Sequence, residues 1–272
     1  MSVISLRAAS GQNFGPDTAL VCLGELRPER GDAVLAILDR ASAGSCPMEE
    51  EEAPTIQARD LAPQAGETTV DYYTRVLSKL EEFPSFEELA ALIAAEHPEY
   101  GLTIESGSEE EWETLLLASM DGVEVALLER HPVTEGSVGE DEIADLLEDL
   151  RDCKPESGVT WLEEYLAEVK MVYTFQPLQG ADLVDGGNAL HGLRSALWER
   201  GEAIIQADNE GFTNEEGFHI VWQFSDSVSG PWDMGVLQDG TWHHFKMDLG
   251  DPDHREAFQQ GEVPADVSEI RT

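Results

Sequence analysis

The chain contains few cysteines and no long apolar run. Cys22, Cys46 and Cys153 are widely spaced and odd in number, so they predict neither a disulfide framework nor a zinc knuckle. This scarcity favours a reducing compartment. The N-terminus has no apolar run of signal-peptide length, and no later stretch approaches the roughly 20 apolar residues that cross a bilayer. We therefore expect a soluble, cytoplasmic protein with no membrane partner.

Basic residues are also scarce. Against 56 acidic residues there are 16 basic ones, of which only four are lysines, and the formal net charge is −40. Such a charge repels nucleic-acid phosphates and anionic headgroups, so we expect no nucleic-acid partner. Two explanations stay open: adaptation to concentrated salt, which screens the self-repulsion, and attraction of a basic protein partner. The wide spread of the acids along the chain favours salt adaptation.

Catalytic signatures are missing as well. The sequence has no G-x-S-x-G elbow, Walker loop or dinucleotide fingerprint, and none of its cysteines has an evident histidine partner in the sequence. The glycine pair in VDGGNALHG (184–192) lies beside Asp182 and Asp185, which favours a flexible helix start over a phosphate site. The sequence therefore names no cofactor and argues against an enzyme.

Composition divides the chain into three parts. Residues 1–41 predict a small strand–helix appendage, and residues 42–69, with three prolines and four consecutive glutamates, predict an acidic linker or loop. Residues 70–272 form the main body, whose order of elements suggests two helix–helix–sheet halves, 70–135 and 140–262.

Hydrophobic periodicity predicts the elements of the first half. VDYYTRVLSKLEEF (70–83) carries apolar side chains at helical spacing and predicts a helix that ends near Pro84. Ser85 and Glu88 form a capping box that begins the next helix. WETLLLAS (112–119) and VEVALLER (123–130) flank an Asp-Gly pair, which predicts a hairpin.

The second half follows the same reasoning. A helix is predicted around Ile143 to Leu150, and Thr160 with Glu163 forms another capping box. VKMVYTFQP (169–177) predicts a strand. Asn188 is the expected N-cap of the helix ALHGLRSALWER.

The C-terminal residues predict a four-stranded antiparallel meander, because three tryptophans recur at ten-residue spacing between turn signals. A type I′ turn at Asp239-Gly240 pairs Gly235 with His244 and Asp233 with Lys246. A symmetric turn in SDSVSG (225–230) would pair Trp222 with Trp232. One face then becomes apolar: Phe218, Ile220, Trp222, Phe224, Trp232, Met234, Val236, Phe245 and Met247.

The opposite face of this meander carries the first candidate site. In the predicted register, His219 and His244 flank Gly235, and charged side chains border the space above the glycine. The candidate ligand-binding residues are Glu210, His219, Asp233, His244 and Lys246. Imidazole, carboxylate and amine groups together suit a small ligand, a metal or acid–base chemistry. The alternative is a solvated sheet face on which Asp233 and Lys246 form a cross-strand ion pair.

A weaker candidate for a metal site follows the last strand of the meander. Its oxygen and nitrogen ligands would be Asp248, Asp251, Asp253 and His254. The same residues fit a helix start, with Asp251 as the N-cap and Pro252 in the first helical position.

These patterns predict an α+β fold with antiparallel sheets and amphipathic helices packed on one face. For function, the sequence predicts a non-enzymatic protein-binding or inhibitory module whose partner is a basic protein. The alternative is a small-ligand-binding protein or a metal-dependent enzyme that uses the polar face around His219 and His244.

Overall fold

The computed structural model describes residues 72–225 and 227–270. The predicted N-terminal appendage (1–41) and the acidic linker (42–69) therefore stay predictions, because both lie outside the described residues. The division of the main body into two repeated halves also stays a prediction.

The described residues form eleven strands, five α-helices and one 3-10 helix, Gln179–Asp182. The strands are β1 (Thr74–Ser78), β2 (Tyr100–Gly107), β3 (Trp112–Ser119), β4 (Glu124–Pro132), β5 (Met171–Pro177), β6 (Ala203–Ala207), β7 (Gly211–Thr213), β8 (His219–Trp222), β9 (Pro231–Gln238), β10 (Thr241–Asp248) and β11 (Glu269–Ile270). The helices are α1 (Phe86–Glu96), α2 (Val138–Asp149), α3 (Glu156–Leu166), α4 (Val184–Trp198) and α5 (Pro252–Gln259). Within the described ranges, no helix is long and apolar enough to cross a bilayer.

All eleven strands belong to one sheet in the order β11-β10-β9-β8-β7-β6-β1-β5-β4-β3-β2. The paired strands are antiparallel apart from β8 and β9, which run parallel where His219 faces Met234. The predicted α+β class with a mainly antiparallel sheet is confirmed. The two edges of the described sheet are β2 and β11.

The central strand β1 was predicted as part of a helix, and that prediction is wrong. β1 pairs with β5 on one side and with β6 on the other. Val76 and Leu77 are both fully buried, but in different cores on opposite faces of the sheet. A short strand covered on both faces is apolar at consecutive positions, and such a run also fits a helical stripe.

Helices cover both faces of the sheet, so the prediction of helices on one face is wrong. On the face of Val76, α1 and α4 bury Leu89, Ile93, Leu193 and Leu197. On the face of Leu77, α2 and α3 bury Ile143, Leu146, Leu162 and Leu166. We call these two surfaces the Val76 face and the Leu77 face. Two helical layers are needed because the central strands present apolar side chains on both sides.

The helix starts agree with the sequence where the signal is local. Ser85 accepts a hydrogen bond from the Glu88 backbone N–H, and the Glu88 side chain accepts one from the Ser85 N–H, so this capping box is confirmed. Thr160 and Asn188 do not begin helices, because α3 begins at Glu156 and α4 at Val184.

Glycines in the additional first turns of both helices pack closely against backbone carbonyl groups. A Cβ at Gly158 would lie 2.5 Å from the Ile220 carbonyl oxygen, and one at Gly186 would lie 2.1 Å from the Gly180 carbonyl oxygen. The turns upstream of both predicted caps therefore pack against neighbouring backbone and continue the helices.

The predicted β9–β10 hairpin is confirmed, residue pair by residue pair. Gly235 faces His244 and Asp233 faces Lys246. Asp239 and Gly240 have φ values of 50° and 77°, as a type I′ turn requires.

The predicted pairing of Trp222 with Trp232 is wrong, because β8 runs parallel to β9 and not antiparallel, although β7, β8, β9 and β10 are neighbours in the predicted order. The backbone N–H of Trp222 donates to the Lys154 carbonyl oxygen at 2.8 Å instead. The strand β8 also contains an extra residue, since Phe212 faces Val221 while Thr213 faces His219. This bulge at Ile220 changes which face each β8 side chain occupies.

Candidate functional site

The space above Gly235, where the ligand was predicted, is filled by side chains. The His244 ring stacks on the Phe218 ring at a centroid distance of 3.8 Å. A Cβ at Gly235 would lie 3.3 Å from His244 Cδ2 and 3.3 Å from Phe218 Cβ. Glycine therefore suits the close packing here, and the two rings occupy the space above it.

His219 lies on the other face of the sheet from His244. The bulge in β8 directs its ring to the Val76 face, 4.6 Å from the Phe224 ring and 6.1 Å from the Trp232 ring. Its Nε2 lies 2.8 Å from the Glu210 carbonyl oxygen, which is an acceptor, so Nε2 carries the proton. The two histidines of the predicted site are thus not brought together.

Both histidines are held neutral by their surroundings. Burial lowers the pKa of His219 to about 4. Burial also lowers the pKa of His244, and Glu216 opposes that effect from 3.6 Å. A neutral, packed imidazole with these partners is a core residue of the sheet.

The pKa of His219 predicts a pH dependence of stability. Above about pH 7 the ring is neutral in both states, whereas between the usual pKa of about 6.5 and the folded value of about 4 only the unfolded chain gains the proton. The free energy of unfolding should therefore fall as the pH is lowered from 7 to 5. The free energy of unfolding can be measured by urea denaturation at several pH values between 7 and 5. It should fall less steeply with decreasing pH for His219→Gln than for the natural chain. His243→Gln, at a partly exposed position of β10, is the control, and equal slopes for all three chains would contradict this prediction.

Glu210 belongs to a partly buried polar cluster on the Val76 face and not to the predicted site. The Tyr72 hydroxyl donates to Glu210 Oε1 at 3.2 Å. Burial raises the pKa of Glu210, while the Tyr72 hydrogen bond and the Arg194 charge oppose the rise. Arg194 of α4 is itself buried, which lowers its pKa. The charge of Arg194 on α4 therefore acts on Glu210 and Tyr72, which lie beside β6 and β1.

Asp233 and Lys246 form a cross-strand contact on the Leu77 face. Lys246 Nζ lies 3.6 Å from Asp233 Oδ1, and the lysine is exposed. The structure therefore places these two residues as the ion-pair alternative predicts.

The candidate metal ligands make the hydrogen bonds of a turn and a helix start. Asp248 Oδ1 accepts from the backbone N–H groups of Gly230 and Gly250, which lowers the pKa of Asp248. Asp251 caps α5 by accepting from the N–H groups of Asp253 and His254, as the alternative predicts. His254 Nε2 lies 3.0 Å from Asp266 Oδ1, and Asp253 is exposed.

These contacts leave no metal site in the part of the chain that the structure describes. Within residues 72–225 and 227–270, no three histidine, cysteine, aspartate or glutamate side chains are grouped so that they could hold a metal ion.

A different site lies at one end of strands β2, β3 and β4. It is a pocket of about 490 Å³ that is open to solvent, and we call it the β3–β4 pocket. The turn between β3 and β4, the start of β2 and the segment before α4 contribute its walls. The lining residues are Pro98, Glu99, Tyr100, Ser119, Met120, Asp121, Val123, Val125, Gly180 and Leu183.

The pocket is surrounded by exposed apolar side chains. Met120 is 72% exposed and Leu183 55%, while Val123 and Val184 are 40% and 44% exposed. Tyr100 and Val125 are buried and form the floor. Large apolar side chains clustered at a turn and a helix start are costly in water unless a partner covers them.

Backbone hydrogen bonds and close glycine packing hold the pocket in shape. The Met120 N–H donates to the Glu99 carbonyl oxygen at 2.7 Å, which ties the β3–β4 turn to the start of β2. A Cβ at Gly180 would lie 2.6 Å from the Glu124 carbonyl oxygen, so the 3-10 helix lies directly against β4. Gly186 packs against Gly180 in turn and brings Leu183 to the pocket edge. The site is therefore built from segments that the sheet fixes in place.

The charged residues that line the pocket, Glu99 and Asp121, are both acidic. Residues 98–129 and 171–190, which supply every lining residue, contain no lysine, arginine or histidine. Exposed carboxylates surround the apolar side chains: Glu99, Asp121, Glu124, Asp182 and Asp185. Burial raises the pKa of Tyr100, and the charges of Asp185 and Glu99 raise it further. The surface thus combines an apolar centre with an acidic border.

Sequence reasoning did not identify this pocket. The Met120-Asp121-Gly122 turn and the segment before Asn188 were interpreted as a hairpin turn and a flexible helix start. The usable signal was chemical: Met120, Val123, Leu183 and Val184 are large apolar residues at turn and cap positions, where polar residues are usual. Their proximity could not be predicted, because the contact joins segments about 60 residues apart in the chain.

Comparisons of the chain with family models, with curated proteins and with solved structures each found no match.

Proposed function

We propose that this chain is a protein-binding module that holds a basic partner protein on the β3–β4 pocket. The observation that carries the proposal is the exposed apolar group at this pocket, enclosed by carboxylates in segments that contain no basic residue. Protein interfaces commonly combine an apolar centre, which supplies most of the binding energy, with a polar rim that selects the partner.

The charge pattern selects a partner of opposite sign. A surface with five exposed carboxylates around Met120 and Leu183 attracts lysine- and arginine-rich proteins and repels acidic ones, including a second copy of this chain. Covering Met120 and Leu183 is worth about 1.5–3 kcal/mol for each side chain that becomes fully buried. The apolar centre then accounts for affinity and the carboxylates account for selectivity.

The alternative function around His219 and His244 has no support from a shared site. The two imidazoles lie on opposite faces of the sheet, and each is packed against aromatic rings. A polar ligand would have no common surface on which to contact both.

The proposal is tested by capture from the cells that make this protein. Three affinity-tagged chains are compared: the natural sequence, a Met120→Ser/Leu183→Ser variant and a Val138→Ser control. Val138 is a suitable control because it is 58% exposed on α2 and does not line the pocket. The natural chain and the control should retain the same basic protein in fixed stoichiometry, and mass spectrometry identifies that protein. The double variant should bind it with an affinity about 100-fold lower and therefore fail to retain it.

The result that would overturn the proposal is equally specific. If the double variant retains every protein that the control retains, then the exposed apolar side chains at this pocket do not form the binding surface. Thermal unfolding of all three chains should be closely similar, since the substituted side chains are exposed.

A further inference from the structure

The strand β2 is an open edge of the described sheet and begins at the β3–β4 pocket. Seven of its eight residues (Tyr100–Gly107) pair with β3, Glu105 lies at an irregularity in that pairing, and no other described strand pairs with β2. Pro98, Glu99 and Tyr100 also line the pocket, so the edge and the pocket are continuous. An edge strand presents a row of backbone donors and acceptors that another strand can use.

The register shows which backbone groups point away from the sheet. The Met120 N–H donates to the Glu99 carbonyl oxygen, and along β2 Gly101 faces Ala118 and Thr103 faces Leu116. In an antiparallel pair the hydrogen-bonded positions alternate, so Gly101 and Thr103 bond to β3. The N–H and C=O groups of Leu102 and Ile104 therefore point outward from the edge.

The charge at this edge disfavours a second copy of the chain as the occupant. Residues 98–129 contain nine carboxylates and no lysine, arginine or histidine. Pairing β2 with β2 of another copy would bring two such segments together, and like charges across a ladder are destabilising. A segment rich in lysine or arginine would be attracted to these carboxylates, because its charge is of opposite sign.

We propose that an extended basic segment of the partner pairs with β2 as an added strand and extends from there to the β3–β4 pocket. This inference rests on the proposed function and names the way in which the partner binds. Strand addition of this kind draws affinity from main-chain hydrogen bonds and specificity from alternate side chains.

The two faces of β2 specify the side chains of the added strand. Leu102 and Ile104 face the apolar core on the Val76 face, and Thr103 is exposed on the other face. The added strand should therefore alternate apolar residues beside Leu102 and Ile104 with a basic residue beside Thr103, in the part of β2 that precedes the irregularity at Glu105.

The test uses the full chain and a synthetic probe, a capped nonapeptide of alternating valine and lysine. Amide exchange is followed by NMR at Leu102 and Ile104, with Gly101 and Thr103 as internal controls already bonded to β3. Saturating peptide should slow exchange at Leu102 and Ile104 by about tenfold or more and leave the two controls nearly unchanged. A peptide of equal charge with N-methyl groups on the residues that face β2 should fail to slow it, because it lacks the required donors.

Several results would overturn strand addition. These are unchanged exchange at Leu102 and Ile104, equal binding of the N-methylated peptide, or a dimer of the free chain by light scattering in which both amides are already protected. The proposed function fails separately, if the Met120→Ser/Leu183→Ser variant retains the captured partner. If that variant loses the partner but the amides of β2 are not protected, only the strand addition is wrong.

Discussion

Replacement of Gly186 by alanine should lower the free energy of unfolding by about 3 kcal/mol and abolish partner binding. The added Cβ would lie 2.1 Å from the Gly180 carbonyl oxygen, a backbone atom that cannot move by itself. The first turn of α4 must then separate from the 3-10 helix. Because Leu183 precedes this turn, the pocket should lose one wall together with the stability.

Gly192→Ala is the matched control for this change, since it lies in the same helix and gains the same helix propensity. Its added Cβ would meet only side-chain atoms that can move, the nearest being His97 Nε2 at 2.9 Å. The control should keep its melting temperature and its partner. Urea unfolding and calorimetric binding measure the two effects, and a Gly186→Ala chain as stable as the Gly192→Ala chain would contradict the packing account.

Reversing two charges at the pocket, Glu99→Lys with Asp121→Lys, should weaken partner binding by about 100-fold at low salt. Both carboxylates are exposed and line the pocket, so the lysines would face the basic surface of the partner. The difference from the natural chain should shrink in about 1 M KCl, where the screening length falls to about 3 Å.

The control for this reversal is Glu163→Lys with Glu164→Lys on α3, which changes the net charge by the same amount at exposed positions away from the pocket. Its affinity should stay within a few-fold of the natural value. Calorimetric titration of the natural chain and both double variants at the two salt concentrations gives the six affinities. If both pairs weaken binding equally, the total charge and not the charge at the pocket attracts the partner.

Salt adaptation concerns the charge of the whole chain, whereas attraction of a basic partner concerns the charge at one surface. The 56 acidic residues are spread over the chain, a distribution that suits concentrated salt. Residues 98–129 and 171–190 contain no basic residue although Lys170, Arg130 and His191 flank them directly, and residues 201–245 also contain no lysine or arginine. Salt adaptation by itself does not require that the cations avoid one pocket.

The parts of the fold that the sequence predicted depend on local signals. The Ser85–Glu88 capping box and the Asp239-Gly240 turn are set by side chains within four residues of each other, and both occur as predicted. The β9–β10 register follows from that turn. Asp251 as the cap of α5 is another local case.

The errors arise where distant segments decide the structure. Val76 and Leu77 form a strand because β5 and β6 pair with it, and neither strand is near β1 in sequence. The bulge at Ile220 moved His219 to the face opposite His244, and a single extra residue was enough to separate the predicted site. The β3–β4 pocket needs three distant segments, so its residues could be noticed as unusual but not assembled from sequence.

The measurement that tests the central claim most directly is the hydrogen-exchange footprint of the captured basic partner on the full chain. The proposal predicts protection of the segments that line the pocket, 98–100, 119–125 and 180–184, with little change on α3. Protection confined to α3 or to the β9–β10 hairpin, with the pocket segments unchanged, would show that the partner binds elsewhere and would contradict the proposal.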